Sequence, residues 1–176
     1  LPQMIIETDP AGVASRAAKL FVDSAARAIE SRRAFTVALS GGSTPRAMFD
    51  LLTSDTWRGK VDWQRVEIFF VDERCVPPTS PDSNYGMTRR YLLDKVPVPV
   101  QNVWRMRGEI SPEPAAVMYG RDLKNRFGKG APDLILLGMG DDGHTASLFP
   151  NTTALDETEH RCTANHVPYD YIPKGT

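Results

Sequence analysis

Phe35-Thr36-Val37-Ala38-Leu39-Ser40-Gly41-Gly42-Ser43-Thr44-Pro45 decides how the rest of the chain reads. Its first five residues form a short run without polar alternation, the pattern of a strand buried on both faces. Two glycines, two hydroxyl residues and a proline then end it, and Arg46 to Leu52 predicts a helix. Upstream, Asp9-Pro10 opens another helix, because Asp9 can cap free amides and Pro10 suits the first helical position. Val13, Ala17, Leu20, Phe21, Ala25 and Ile29 recur at helical spacing and predict its apolar face. Downstream, Val66-Glu67-Ile68-Phe69-Phe70-Val71 is a second buried run, ending in Asp72-Glu73-Arg74. A helix is predicted over Asn84 to Leu93, and a short strand over Val103-Trp104-Arg105-Met106. A further helix runs from Ser111, its expected cap, to about Phe127. Asp133-Leu134-Ile135-Leu136-Leu137 is the third buried run, followed by Gly138-Met139-Gly140-Asp141-Asp142-Gly143-His144. Buried runs alternating with helices give an α/β fold, a mostly parallel sheet with helices on both faces and right-handed crossovers.

The chain has 176 residues, enough for one domain with a core, and a formal net charge of −1. No broad positive field draws it to nucleic acid or to an anionic membrane. No apolar run is long enough to span a bilayer. Leu1-Pro2-Gln3-Met4 has no basic n-region, so no secretory signal is expected. Cys75 and Cys162 have no metal-ligand spacing and read as two reduced, partly buried thiols. These features fit a cytoplasmic enzyme or binding protein.

Ligands of open α/β sheets bind beyond the carboxyl ends of the strands. The loops at 40–45, 72–74 and 138–147 are therefore expected to meet in one cleft. Ser40-Gly41-Gly42-Ser43-Thr44 reads either as a phosphate cradle, with Ser43 or Thr44 capping the helix, or as an ordinary tight turn. It lacks the lysine of a Walker A loop and the spacing of a dinucleotide fingerprint. Asp72-Glu73-Arg74 is either a surface turn or a site. In the second reading Asp72 or Glu73 holds sugar hydroxyls and Arg74 binds an anionic group or a developing charge. His144 follows a glycine loop at a sheet edge and can take a proton from water near pH 7, with Asp142 orienting its ring. His160 and His166 read as structural, and Arg89-Arg90 and Lys124 with Arg126 as solvated helix faces.

Together, Ser40-Gly41-Gly42-Ser43-Thr44-Pro45, Val71-Asp72-Glu73-Arg74, Ser83-Asn84-Tyr85 and Gly138 through Pro150 resemble the 6-phosphogluconolactonase family. The likeness extends to Asn165-His166-Val167-Pro168, nearly the whole chain. It implies the Rossmann-like fold of the glucosamine/galactosamine-6-phosphate isomerase superfamily. Deaminases of that superfamily continue their Asp-Gly-His loop with Ile-Ala-Phe-Asn-Glu-Pro, whereas this chain continues Thr145-Ala146-Ser147-Leu148-Phe149-Pro150. They also carry tyrosine where Arg74 stands. Both departures favour the lactonase. The family usually runs several dozen residues further, so the resemblance implies one domain over 1–176 that lacks a C-terminal segment and one basic phosphate ligand.

The resemblance also implies hydrolysis of 6-phospho-D-glucono-1,5-lactone to 6-phosphogluconate, in the oxidative pentose phosphate pathway. His144, Asp142 and Arg74 would be catalytic. Ser40, Gly41, Gly42, Ser43, Thr44, Asp72 and Glu73 would bind substrate. No metal or cofactor is required. The expected partner is the phosphorylated sugar lactone, not nucleic acid or a membrane, and the expected state is a monomer or weak homo-oligomer. The competing readings are a sugar-phosphate isomerase or deaminase with Asp72 as base at carbon, and a noncatalytic sugar-phosphate sensor.

Overall fold

The computed structural model describes residues 2–167. Leu1, Pro168 and the terminal Pro173-Lys174-Gly175-Thr176 lie outside them, as does the rest of 168–176. Helix α1 spans Pro10–Arg32, with Asp9 Oδ1 accepting from Gly12 N at 2.7 Å, as its sequence predicts. Strand β1 (Phe35–Leu39) follows, then α2 (Ser43–Leu52), a short α3 (Asp55–Arg58), and strand β2 (Val66–Phe70). Helix α4 (Asn84–Thr88) continues into a π turn over Arg89–Leu93. Helix α5 (Pro112–Phe127) precedes strand β3 (Leu134–Ile135).

The sheet is parallel, in the order β2-β1-β3, with Phe35 opposite Val66 and Val37 opposite Leu134. Strand side chains alternate between faces, and the central strand is buried on both. Phe35, Val37, Leu39, Ile68 and Phe70 join Phe21, Met48 and Phe49 in the larger core, under α1 and α2. Ala38 and Phe69 point the other way, onto Tyr119 of α5. Phe69 stacks on Trp104 with ring centres 5.7 Å apart, and packs on Phe127 at 4.9 Å. Helices thus cover both faces, as expected for the α/β class.

Several expectations are corrected. The buried stripe of α1 is Ala14, Ala18, Phe21, Ala25 and Ala28, while Val13 and Leu20 are exposed. Small side chains let α1 lie close to α2 and β1, and a reading weighted toward bulky residues selects the neighbouring stripe. Residues 103–106 form no strand. They contribute a single parallel bridge, Val103 with Ile68, and Trp104 N donates to Ile68 O at 2.8 Å. Tyr119 completes that edge, since its hydroxyl accepts from Phe70 N at 2.8 Å and donates to Phe70 O at 2.9 Å. Burial pushes the Tyr119 phenol up from its ordinary value. Ser111 occupies the cap position of α5 but makes no side-chain capping bond.

The third run is not buried on both faces. Leu134 and Leu136 pack against the larger core, but Ile135, Leu137 and Met139 are exposed. The register places Ile135 beside Ala38, on the α5 face, and α5 covers Ala38 and Phe69 without extending over the β3 edge. Cys162 is partly buried, and burial raises its thiol to about 11; Cys75 is exposed instead of partly buried, and both are free. Among the described residues, no helix is long and apolar enough to cross a membrane.

Candidate active site

The three loops leave the carboxyl ends of β1, β2 and β3, and polar contacts join them. Val71 N donates to Leu39 O at 3.1 Å, extending the ladder one step past β2 and delivering Asp72 to the end of the sheet. Asp72 is nearly buried. Its Oδ2 accepts from Ser147 Oγ at 2.7 Å, tying the second loop to the third. Its Oδ1 and backbone oxygen accept from Asn84 Nδ2 at 3.2 and 3.1 Å. Asn84 in turn faces Gly41, where a Cβ would fall inside the Asn84 side-chain amide. Loops far apart in sequence therefore share one cluster, as the sheet-edge rule predicts.

The turn after β1 is built differently from its sequence expectation. Gly42 is the cap residue of α2, at φ 108°, a conformation that side-chain-bearing residues avoid. That geometry makes Ser43 the first helical residue, so neither Ser43 nor Thr44 caps α2 through its side chain. Pro45 has no N–H, and Arg46 N bonds to Gly42 O at 3.3 Å. The amides of Ser43 and Thr44 consequently have no acceptor among the described residues, and they end a ten-residue helix whose dipole favours anions. Gly42, Ser43 and Thr44 are exposed. Ser40 is buried, and its hydroxyl donates to Leu136 O at 2.8 Å. That bond commits the Ser40 hydroxyl proton to holding β1 to β3.

Glu73 is likewise engaged inside the protein. Its Oε1 accepts from Arg74 N at 2.7 Å and Asn84 N at 2.8 Å. Its Oε2 accepts from Ser83 Oγ and Tyr85 N, each at 2.9 Å. About four lone-pair sites are thereby filled, leaving none for a sugar hydroxyl. Glu73 fastens the start of α4. The Arg74 guanidinium has no ion-pair partner among the described residues.

The loop after β3 is organised around His144. Asp142 Oδ1 accepts from His144 N at 3.1 Å and lies 2.5 Å from His144 Nδ1. The hydrogen bond from the His144 side chain, followed by that from its backbone, holds the Asp142 carboxyl below its ordinary value. An ionised carboxylate only accepts, so Nδ1 carries the proton and a neutral ring leaves its Nε2 lone pair unbonded. The ring stacks on Phe149 with centres 4.1 Å apart, and Gly140 lies so close that a Cβ there would fall on the ring. His160 pairs with Glu157 and His166 with Glu113, both in exposed contacts. Among the described residues, two surface depressions, one beside Arg27 and Arg32 and one beside residues 153–163, include none of Ser43, Asp72, Arg74, Asp142 and His144. Among the described residues no group of three His, Cys, Asp or Glu could hold a metal ion.

A sequence profile for glucosamine-6-phosphate isomerases/6-phosphogluconolactonase matches residues 8–174. The chain belongs to this family. It is 38% identical over 130 residues to a 6-phosphogluconolactonase of Haemophilus influenzae, covering 74% of this chain and 56% of that protein. Against the 6-phosphogluconolactonase of Treponema pallidum it is 44% identical over 144 residues, covering 80% and 59%. The chain thus spans less than two thirds of these relatives. The structure of the Trypanosoma cruzi 6-phosphogluconolactonase superposes with a TM-score of 0.83 at 27% identity, covering 99% of this chain and 72% of that one. A monomeric glucosamine-6-phosphate deaminase superposes at 0.71 with 17% identity, which shows a shared fold.

Asn84, Ser147 and Asn165 hold the site together and were not singled out by sequence reasoning for that role. Their bonds span 12, 75 and 18 residues of chain, and only the Ser83-Asn84 pair, placed to start a helix, carries a local signal.

Proposed function

We propose that this chain carries the catalytic machinery of a 6-phosphogluconolactonase, hydrolysing 6-phospho-D-glucono-1,5-lactone to 6-phosphogluconate. The observation that supports it is the Asp142–His144 pair, 2.5 Å apart, which leaves Nε2 as the free base. A lactone is an activated ester, so hydrolysis needs a deprotonated water and a place for the oxyanion. His144 Nε2 takes the water proton and returns it to the departing ring oxygen, help worth ~10²–10⁴-fold. Arg74, unpaired among the described residues, stabilises the oxyanion. The free Ser43 and Thr44 amides at the start of α2 receive the phosphate. Relatives named 6-phosphogluconolactonase support this reading. Both oxygens of Asp72 already accept hydrogen bonds, which counts against a deaminase using it as base at carbon.

The test is lactone hydrolysis measured above the spontaneous background. Wild-type protein is expected to accelerate it, and His144→Ala to lower kcat at least ~10²-fold with the fold intact. A folded His144→Ala protein with near-normal kcat overturns the base assignment. Ammonia release from glucosamine 6-phosphate, without lactone hydrolysis, overturns the lactonase reading.

A further inference from the structure

The loop that carries His144 is stretched over unfavourable backbone. Among the described residues, three non-glycine residues have positive φ, and two of them, Ala146 (φ 52°) and Asn151 (φ 59°), lie in this loop. Such residues persist only where surrounding structure holds them. Asn165, on the segment that returns past the loop, meets both. Its Nδ2 donates to Ser147 O at 2.6 Å and to Thr152 Oγ1 at 3.1 Å, the residues immediately after Ala146 and Asn151. The orientation of the amide follows from its partners. Ser147 O only accepts, and Thr152 Oγ1 gives its own proton to Phe149 O at 2.7 Å. Asn165 Oδ1 is left buried with no partner among the described residues, so the side chain is held in place by its two donor contacts. Ser147, clamped through its carbonyl, sends its hydroxyl to Asp72 Oδ2 at 2.7 Å.

We propose that Asn165 is a positioning residue: it fixes the two strained points of the loop and so keeps His144 in register with Asp72 and the end of the sheet. The kinetic readout rests on the lactonase reading; the spectroscopic one does not. In the full chain, Asn165→Asp keeps the shape and removes both donors. It is expected to lower kcat at least about tenfold, because small misplacements of a catalytic group are costly. KM and the affinity for 6-phosphogluconate should stay within about twofold, since the Ser43 and Thr44 amides are untouched. The ¹³C ring signals of His144 should shift or broaden, while those of His160 stay put. If Asn165→Asp does not fold, Asn165→Ala removes both donors without adding a charge and should move the same signals and lower kcat by about threefold or more. Unchanged His144 signals in a folded variant, or a defect confined to KM, overturn the proposal. Absence of lactone hydrolysis by the wild-type protein would sink the lactonase reading alone, and the His144 signals would still decide the role of Asn165.

Discussion

Ser147 donates its hydroxyl to Asp72 across 75 residues of chain, and this 2.7 Å bond is a direct link between the His144 loop and the end of β2. It makes Asp72 a structural partner of the histidine loop before any ligand arrives. Ser147→Ala should therefore lower kcat more than it lowers stability. Removing a hydrogen bond to a charged group costs about 1.5–3 kcal/mol, and urea denaturation reads that value. A loss of stability with unchanged kcat per folded molecule would separate Asp72 from the placement of His144.

Gly41 and Gly42 are both glycine, for different reasons. At Gly41 a side chain would collide with the Asn84 amide; at Gly42 the backbone itself sits at φ 108°, and a Cβ would meet Pro45 Cδ at an ordinary 4.0 Å. Gly41→Ala is expected to destabilise by ~1–3 kcal/mol through overpacking. Truncating Asn84 in the same chain should make the two losses sum to less than their separate values. Gly42→Ala should lose ~1–3 kcal/mol through strain and gain no relief from Asn84→Ala. Relief of Gly42→Ala by the Asn84 change, with none for Gly41→Ala, would reverse these assignments.

How much of this was legible beforehand depends on how local the cause is. Phe35–Leu39 and Val66–Phe70 announce themselves because each is a short, mostly apolar run, broken only by Thr36 and Glu67. Asp9-Pro10 fixes the start of α1 within four residues of chain. Which stripe of α1 is buried is not local: Ala14, Ala18, Ala25 and Ala28 are chosen by close approach of neighbouring elements, which no periodicity count contains. The run at 133–137 is apolar enough for a buried strand, yet coverage of its outer face depends on where α5 stops. In the site, Asp142 and His144 are two residues apart and could be paired on sight. Glu73 looked like a ligand for sugar because a carboxylate at a strand end gives no sign that Ser83, Asn84 and Tyr85 will fold back onto it.

Glu73 offers the sharpest check on that correction. Glu73→Gln replaces one accepting oxygen with an amide that faces backbone donors. Leaving such donors unsatisfied costs about 1–3 kcal/mol, readable as a lower urea midpoint at constant slope. KM for the phosphorylated lactone should change little. A variant of normal stability with a raised KM would restore Glu73 to the substrate.

The Asp142 carboxyl titrates below its ordinary 3.8 because the ionised form accepts from His144. A depressed carboxyl stabilises the folded loop above pH 3.8, and that contribution disappears as pH falls through the lower, folded-state value. The ¹³C signal of the Asp142 carboxyl should accordingly show a midpoint under 3.8, and one at or above 3.8 would break the link to His144. Asp142→Asn removes the charge that fixes Nδ1–H. It should lower kcat by roughly 10–100-fold with KM nearly constant, a smaller loss than at a buried triad because this pair is open to water.

Arg74 has two possible uses, and kinetics can separate them. If its guanidinium grips the phosphate in ground and transition states alike, Arg74→Ala raises KM and spares kcat. If it faces the lactone carbonyl, the charge it stabilises appears only in the transition state, and kcat falls by ~10²–10³-fold. The second outcome is expected. The α2 start already offers the Ser43 and Thr44 amides to an anion, whereas Asp72 and Glu73 beside Arg74 make its own loop a poor place for a dianion. Arg74→Lys keeps the charge but loses the planar fork, so it should recover only part of the activity. Unphosphorylated gluconolactone provides the control: a carbonyl role predicts the same proportional loss of kcat on both substrates. A defect seen only with the phosphorylated lactone, and only in KM, would move Arg74 to the phosphate and leave the oxyanion to other donors.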